Sequence, residues 1–214
     1  MNINELLNSF LKEEAFENSL ILLDIDETLL TPNNIYIYRK LPSDKKEVAL
    51  TPSEYAKESV TVKTKNYYDY REFRNADSVA RSIKTGVPII SNLKIMDEYI
   101  RKGWRVGILT ARGMEEVIFK SIKGFLKFKN KKGELRDIGN KLIRDLVFAI
   151  NDDNKKYKGI TDFEKKKNVI EILAKKYNRI IFIDDDVRNV KAVKNLKIPN
   201  VMVKYATAKT EDEK

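Results

Sequence analysis

The 214-residue chain contains no cysteine and no histidine. The lack of cysteine excludes a disulfide framework and a thiolate nucleophile. The lack of both removes the usual zinc ligand sets. Histidine is also missing as a general base, so catalysis would have to run on carboxylates, lysines, hydroxyls and backbone dipoles. A bound metal would be a hard ion with oxygen ligands, Mg2+ before others. No apolar run approaches the roughly 18 residues that a membrane-crossing helix needs. The opening Met1-Asn2-Ile3-Asn4-Glu5 lacks the basic-then-apolar order of a signal peptide. These absences lead to the expectation of a cytoplasmic protein without a membrane partner. Repeats and low-complexity segments are missing as well.

The composition is that of a soluble globular protein, with 42% hydrophobic and 35% charged residues. The length suits one α/β domain, or a core domain with a small insertion. The net charge of +10 fits an anionic partner, a phosphate ester or a nucleic acid; it fits simple solubility equally well. Short apolar runs alternate with amphipathic segments, the pattern of a parallel sheet flanked by helices. Strands are expected over 20–25, 104–109, 146–150, 179–183 and 201–203. Helices are expected over 3–16, 91–102, 114–128, 162–177 and 187–195, with a frayed tail from 207 on. The segment 32–88 differs. It has short β-like runs at 35–38, 48–50 and 60–62, a helix starting at Thr51-Pro52-Ser53-Glu54, and a last helix over 76–84. The expected fold is therefore α/β, a doubly wound parallel sheet built from 1–31 and 89–214, with a small β-rich cap inserted at 32–88.

In such sheets ligands sit beyond the carboxyl ends of the strands. The first strand runs into Asp24-Ile25-Asp26-Glu27-Thr28. Strand alternation puts Asp24 and Asp26 on one side, about 7 Å apart, and two such carboxylates need a cation or a shared proton. The alternative is a helix cap or surface turn. The second strand runs into Thr110-Ala111-Arg112-Gly113, where a hydroxyl, backbone N–H groups and a guanidinium could hold a phosphate; the alternative is a threonine cap with a surface arginine. The fourth ends in Asp184-Asp185-Asp186. Helix capping explains one of these acids easily and three with difficulty. In Phe163-Glu164-Lys165-Lys166-Lys167, helical phase puts Lys166 on the inward face with Phe163, Ile170 and Leu173.

These four elements, in this order, resemble the haloacid dehalogenase superfamily of phosphatases over about 20–205. The resemblance implies a Mg2+-dependent phosphomonoesterase with Asp24 as nucleophile and Asp26 as general acid/base. It implies that Thr110 binds the transferring phosphoryl group and Lys166 stabilises it, with Thr28, Ala111, Arg112 and Asn189 at the substrate. The metal would be held by Asp24, the main-chain carbonyl of Asp26, Asp184 and Asp185, with Asp185 the more direct ligand. Glu27 stands where many members carry glycine. Leu109-Thr110-Ala111-Arg112 and Tyr70-Arg71-Glu72-Phe73-Arg74-Asn75 are similar to phage and bacterial members of the nucleotidase and polynucleotide 3′-phosphatase kind. No GxxxxGK[ST] kinase motif accompanies them. The implied substrate is a phosphorylated small molecule such as a nucleotide, or a nucleic-acid end.

Tyr36, Tyr38, Tyr67, Tyr68, Tyr70 and Phe73 could stack bases or form the core of the cap. Lys120, Lys123, Lys127, Lys129, Lys131 and Lys132 could track a phosphate backbone or form a solvated face. The competing function is a catalytically idle nucleic-acid-binding module on the same fold.

Overall fold

A computed structural model describes residues 18–58, 67–130, 132–153 and 157–206. The helix expected over 3–16, the strand over 60–62 and the tail from 207 lie outside these residues. In chain order the strands are β1 (Ser19–Leu23), β2 (Leu30–Thr31), β3 (Ile37–Arg39), β4 (Val48–Leu50), β5 (Tyr68–Asp69), β6 (Val87–Pro88), β7 (Arg105–Thr110), β8 (Lys127–Lys129), β9 (Leu135–Asp137), β10 (Leu142–Ala149), β11 (Arg179–Asp184) and β12 (Val201–Tyr205). The α-helices are α1 (Pro52–Glu58), α2 (Ala76–Thr85), α3 (Ile90–Arg101), α4 (Glu115–Phe125), α5 (Asp162–Ala174) and α6 (Val187–Lys194).

Five strands form one parallel sheet in the order β10-β7-β1-β11-β12. Every residue of β1 is buried, and β7 and β11 each open on an exposed arginine followed by five buried residues. Near-continuous apolar runs of this kind belong to strands covered on both faces. On one face Ile21, Leu23 and Ile108 pack with Val79 and Ile83 of α2, Leu93 and Met96 of α3, and Ile118 and Ile122 of α4. On the other, Leu20, Leu22 and Phe182 meet Val169, Ile170 and Leu173 of α5 and Val193 of α6. The sheet is thus doubly wound. Strand order reverses between β1 and β11, so the crevice at a topological switch point opens beyond Leu23 and Asp184.

Between β1 and β7 the chain leaves the sheet to form a β-rich insertion. Its neck is the antiparallel pair β2–β6, and its body is the antiparallel sheet β4-β3-β5 over Ile37, Leu50 and Tyr68. Pro52 opens α1, with Thr51 and Glu54 exchanging capping hydrogen bonds.

Two expectations change. The helix expected over 114–128 ends at Phe125, because residues 127–137 form the β8–β9 hairpin. Lys127-Phe128-Lys129 has period two, with Phe128 buried between exposed lysines. The third core strand starts at Leu142 rather than 146, with a register shift against β7 between Leu142 and Val147. Among the described residues, no helix is long and apolar enough to cross a membrane.

Gly107 lies where β7 is sandwiched between β1 and β10. A Cβ there would overlap the Leu146 carbonyl oxygen and lie 2.8 Å from both Leu146 Cβ and Leu22 Cδ2. Gly107→Ala is expected to destabilise the fold by about 1–3 kcal/mol, read as a lower midpoint in chemical denaturation; an unchanged midpoint would contradict this packing.

Candidate active site

The chain turns immediately after β1. Leu29 and Leu30 N–H groups both donate to the Ile25 carbonyl, and Glu27 N–H donates to Leu30. The turn requires a left-handed backbone at Glu27, φ 52°, a conformation that suits glycine. Regular strand alternation thus ends with Leu23, before both acids of the motif.

Asp24 is buried at the switch point. Its Oδ2 lies 3.1 Å from Lys166 Nζ, while its Oδ1 is buried with no hydrogen-bond partner among the described residues. Lys166 is wholly buried and also reaches Asp184 Oδ2 at 2.7 Å. The placement starts at a capping box: Thr161 Oγ1 accepts from Glu164 N–H, and the Glu164 carboxylate accepts from Thr161 N–H. From that start Lys166 falls on the inward stripe with Val169, Ile170 and Leu173. Phe163, expected on the same face, is 36% exposed.

The three acids after β11 take different tasks. Asp184 accepts from Lys166, from Asn189 Nδ2 at 3.0 Å on each oxygen, and from Asp186 N–H at 2.8 Å. Asp186 caps α6 by accepting from Arg188 N–H. Asp185 turns its carboxyl into the crevice, where the Thr28 hydroxyl donates to it at 3.4 Å. One carboxylate oxygen from each of Asp24, Asp184 and Asp185 lies within 4.8 Å of the others.

Burial pushes the Asp24 carboxyl up to about 7; Lys166 opposes the rise, and Asp184 and Asp26 add to it. Desolvation followed by the charges of Asp24 and Asp184 brings Asp185 to about 8 against the pull of Lys166. For Lys166 burial alone would lower the value, but Asp184 and Asp24 more than offset it and hold the ammonium above the ordinary lysine range. An orphaned carboxylate oxygen in an oxygen-only set with surplus negative charge fits a hard divalent cation.

Asp26 is paired with Arg112. Arg112 Nε and Nη2 donate to its two oxygens at 2.9 and 2.6 Å, and Nη1 donates to Ser82 of α2 at 2.7 Å. The guanidinium is fully buried, and the acceptors it contacts are Asp26 and Ser82. Thr110 is fully buried at the end of β7, and its Oγ1 accepts from Arg112 N–H at 3.3 Å. The Ala111 carbonyl accepts from Asn151 Nδ2 at 2.7 Å. The structure thus gathers Asp24, Thr28, Lys166, Asp184, Asp185 and Asn189 into one cluster, with Asp26, Thr110, Ala111 and Arg112 in an adjoining network. Sequence reasoning missed Asn151 and Ser82. Asn151 follows a buried strand at the carboxyl edge, which is a usable signal; Ser82 offers none.

Of the insertion aromatics, Tyr68 is core. Tyr38 donates to Glu72 with Arg71 over its ring, and the Tyr70 hydroxyl donates to Tyr55 at 2.6 Å. Phe73 reaches the site: its carbonyl accepts from Gly113 N–H at 3.0 Å and its ring lies 5.7 Å from Arg112. The lysines start on a helix, but the expected helical Lys127 lies beyond its end. Lys120 and Lys123 are on α4, Lys127 and Lys129 on β8, and Lys132 in the hairpin turn, while Lys131 lies outside the described residues. Glu116 pairs with Lys120 and Asp137 with Lys127.

No protein-family model matches the chain, and comparison with curated proteins and solved structures gives no match either.

With Asp24 and Asp185 raised from 3.8, the folded chain holds more protons than the unfolded one up to about pH 7–8. Without a cation, stability should fall as pH rises through that window. Because a cation competes with those protons, added Mg2+ is expected to raise the melting temperature more at about pH 8 than at about pH 5. Equal increments at both pH values, or none, would remove the cation from this cluster.

Proposed function

We propose that this protein is a Mg2+-dependent phosphomonoesterase of the haloacid dehalogenase type, working through an aspartyl phosphate on Asp24. The observation that carries this is the division of Asp24 between its oxygens: Lys166 holds Oδ2, and Oδ1 is buried and unpaired at the switch point. A carboxylate oxygen so placed can attack phosphorus. In the first step the Oδ1–P bond forms, the bond from phosphorus to the leaving oxygen breaks, and that oxygen takes a proton from Asp26. In the second step water attacks phosphorus, its proton goes to Asp26, and the P–Oδ1 bond breaks to release phosphate. Lys166 balances the negative charge of Asp24 and Asp184 throughout. Asp24, Asp184, Asp185 and the Asp26 carbonyl would hold a Mg2+, which would supply further charge neutralisation.

The substrate class is a nucleotide or a nucleic-acid 3′-phosphate end. The net charge of +10 and the contact of Phe73 with the loop after β7 favour an anionic, base-bearing ester.

Turnover of p-nitrophenyl phosphate should require Mg2+ and stop with chelator. Asp24→Asn should lower kcat by several orders of magnitude with the fold intact by circular dichroism. A variant retaining more than about a tenth of the wild-type rate would exclude the aspartyl phosphate. A panel of nucleotides and 3′- or 5′-phosphorylated oligonucleotides then selects the substrate, and no hydrolysis of any ester would favour the idle nucleic-acid-binding module.

Lys166→Ala should abolish turnover, while Lys167→Ala, on the same helix without a site contact, should retain it. Comparable rates for the two variants would separate Lys166 from catalysis.

A further inference from the structure

Asn151 stands two residues beyond the end of β10 and joins the two segments that carry Thr110 and Lys166. Its side-chain amide has one possible orientation. Lys165 Nζ, which can only donate, lies 2.6 Å from Oδ1. Nδ2 donates to the Ala111 carbonyl at 2.7 Å and to Asp162 Oδ1 at 3.1 Å, both acceptors only. Exchanging nitrogen and oxygen would oppose like groups at all three contacts.

This amide fixes the plane of the Ala111–Arg112 peptide. In a trans peptide the carbonyl and the N–H point in opposite directions. With the Ala111 carbonyl turned to Asn151, the Arg112 N–H points away from it and meets Thr110 Oγ1 at 3.3 Å. The main chain of Asn151 supports the next residues as well. Its N–H donates to the Arg112 carbonyl at 3.4 Å, and its own carbonyl lies so close to Gly113 that a Cβ there would approach to 2.8 Å.

The Thr110 hydroxyl has one proton to donate and two lone pairs. The peptide N–H occupies an acceptor position. Among the described residues this fully buried hydroxyl donates to no protein group, so its proton remains for a ligand. We propose that Asn151 is a positioning residue that, through the Ala111–Arg112 peptide, sets the Thr110 hydroxyl to donate to a phosphoryl oxygen. The proposal rests on the phosphomonoesterase reading and assigns Lys165 the task of orienting Asn151.

A double-variant cycle tests this, with kcat/KM on p-nitrophenyl phosphate measured in the presence of Mg2+ for wild type, Asn151→Ala, Thr110→Val and the pair. Each single variant is expected to lose about ten- to a hundredfold, and the pair should be no worse than Thr110→Val alone. Thr110→Ser, which keeps the hydroxyl, should keep the sensitivity to Asn151→Ala. Losses that multiply in the pair would reduce Asn151 to general support of the fold and overturn the proposal, as would full activity of Asn151→Ala. The same four proteins are titrated with inorganic phosphate by calorimetry. If the wild type hydrolyses no phosphomonoester, the catalytic reading fails on its own. Non-additive phosphate affinities would then still uphold the Asn151–Thr110 placement, and additive affinities or no phosphate binding would overturn it.

Discussion

Lys166 carries its ammonium into a place without water, 2.7 Å from Asp184 and 3.1 Å from Asp24. Neither sign of charge could occupy that place alone: an unpaired buried ion costs several kcal/mol, and its partner's attraction only roughly repays it. The pairing therefore constrains more than it stabilises. It demands that β1 and β11 end side by side, which the parallel ladder from Ser19–Arg179 to Leu23–Ile183 secures. It also demands that α5 start where the capping box starts it, since a shift of one residue would turn the lysine out of the stripe.

The charge count around Lys166 explains the rest of the cluster. Asp184 spends both oxygens on Lys166, Asn189 and a backbone N–H, so it is satisfied within the protein. Asp24 spends one oxygen, and Asp185 accepts from its own N–H and, at 3.4 Å, from Thr28. Unmet acceptor capacity is thus concentrated on the two carboxylates that face the crevice. That distribution fits the proposed reading, in which Asp24 and Asp185 meet the positive ion and the phosphorus of the ester most directly.

Most of the frame was legible because buried parallel strands announce themselves as apolar runs, and because chemistry gathers where those runs end. Helical phase alone selected Lys166 from three consecutive lysines. The misses share a cause: periodicity describes which face a residue occupies, not which partner another segment brings to it. The pairing of Asp26 with Arg112, 86 positions away, has no local signal. Ser82 has no local pattern and Asn151 only its place beyond a buried strand, since their partners lie 30 and 40 positions away in sequence. The β8–β9 hairpin was hidden because three residues of period two are too short to outweigh a preceding amphipathic helix.

The Arg112–Asp26 pair links the insertion to the chemistry. Both oxygens of Asp26 accept from one guanidinium, whose remaining arm is held by Ser82 on α2, the helix that returns the chain from the insertion. Phe73, from the insertion itself, holds the neighbouring Gly113 through its carbonyl. A proton placed on either Asp26 oxygen would face a guanidinium N–H, so proton transfer through Asp26 requires one of those bonds to open. The groups able to open it are the ones that position Arg112: α2, the 71–74 turn and the loop after β7. In the proposed reaction, a substrate that moves the insertion would therefore act on Asp26 without touching it, and the closeness of the insertion to this loop would become part of how the site distinguishes one ester from another.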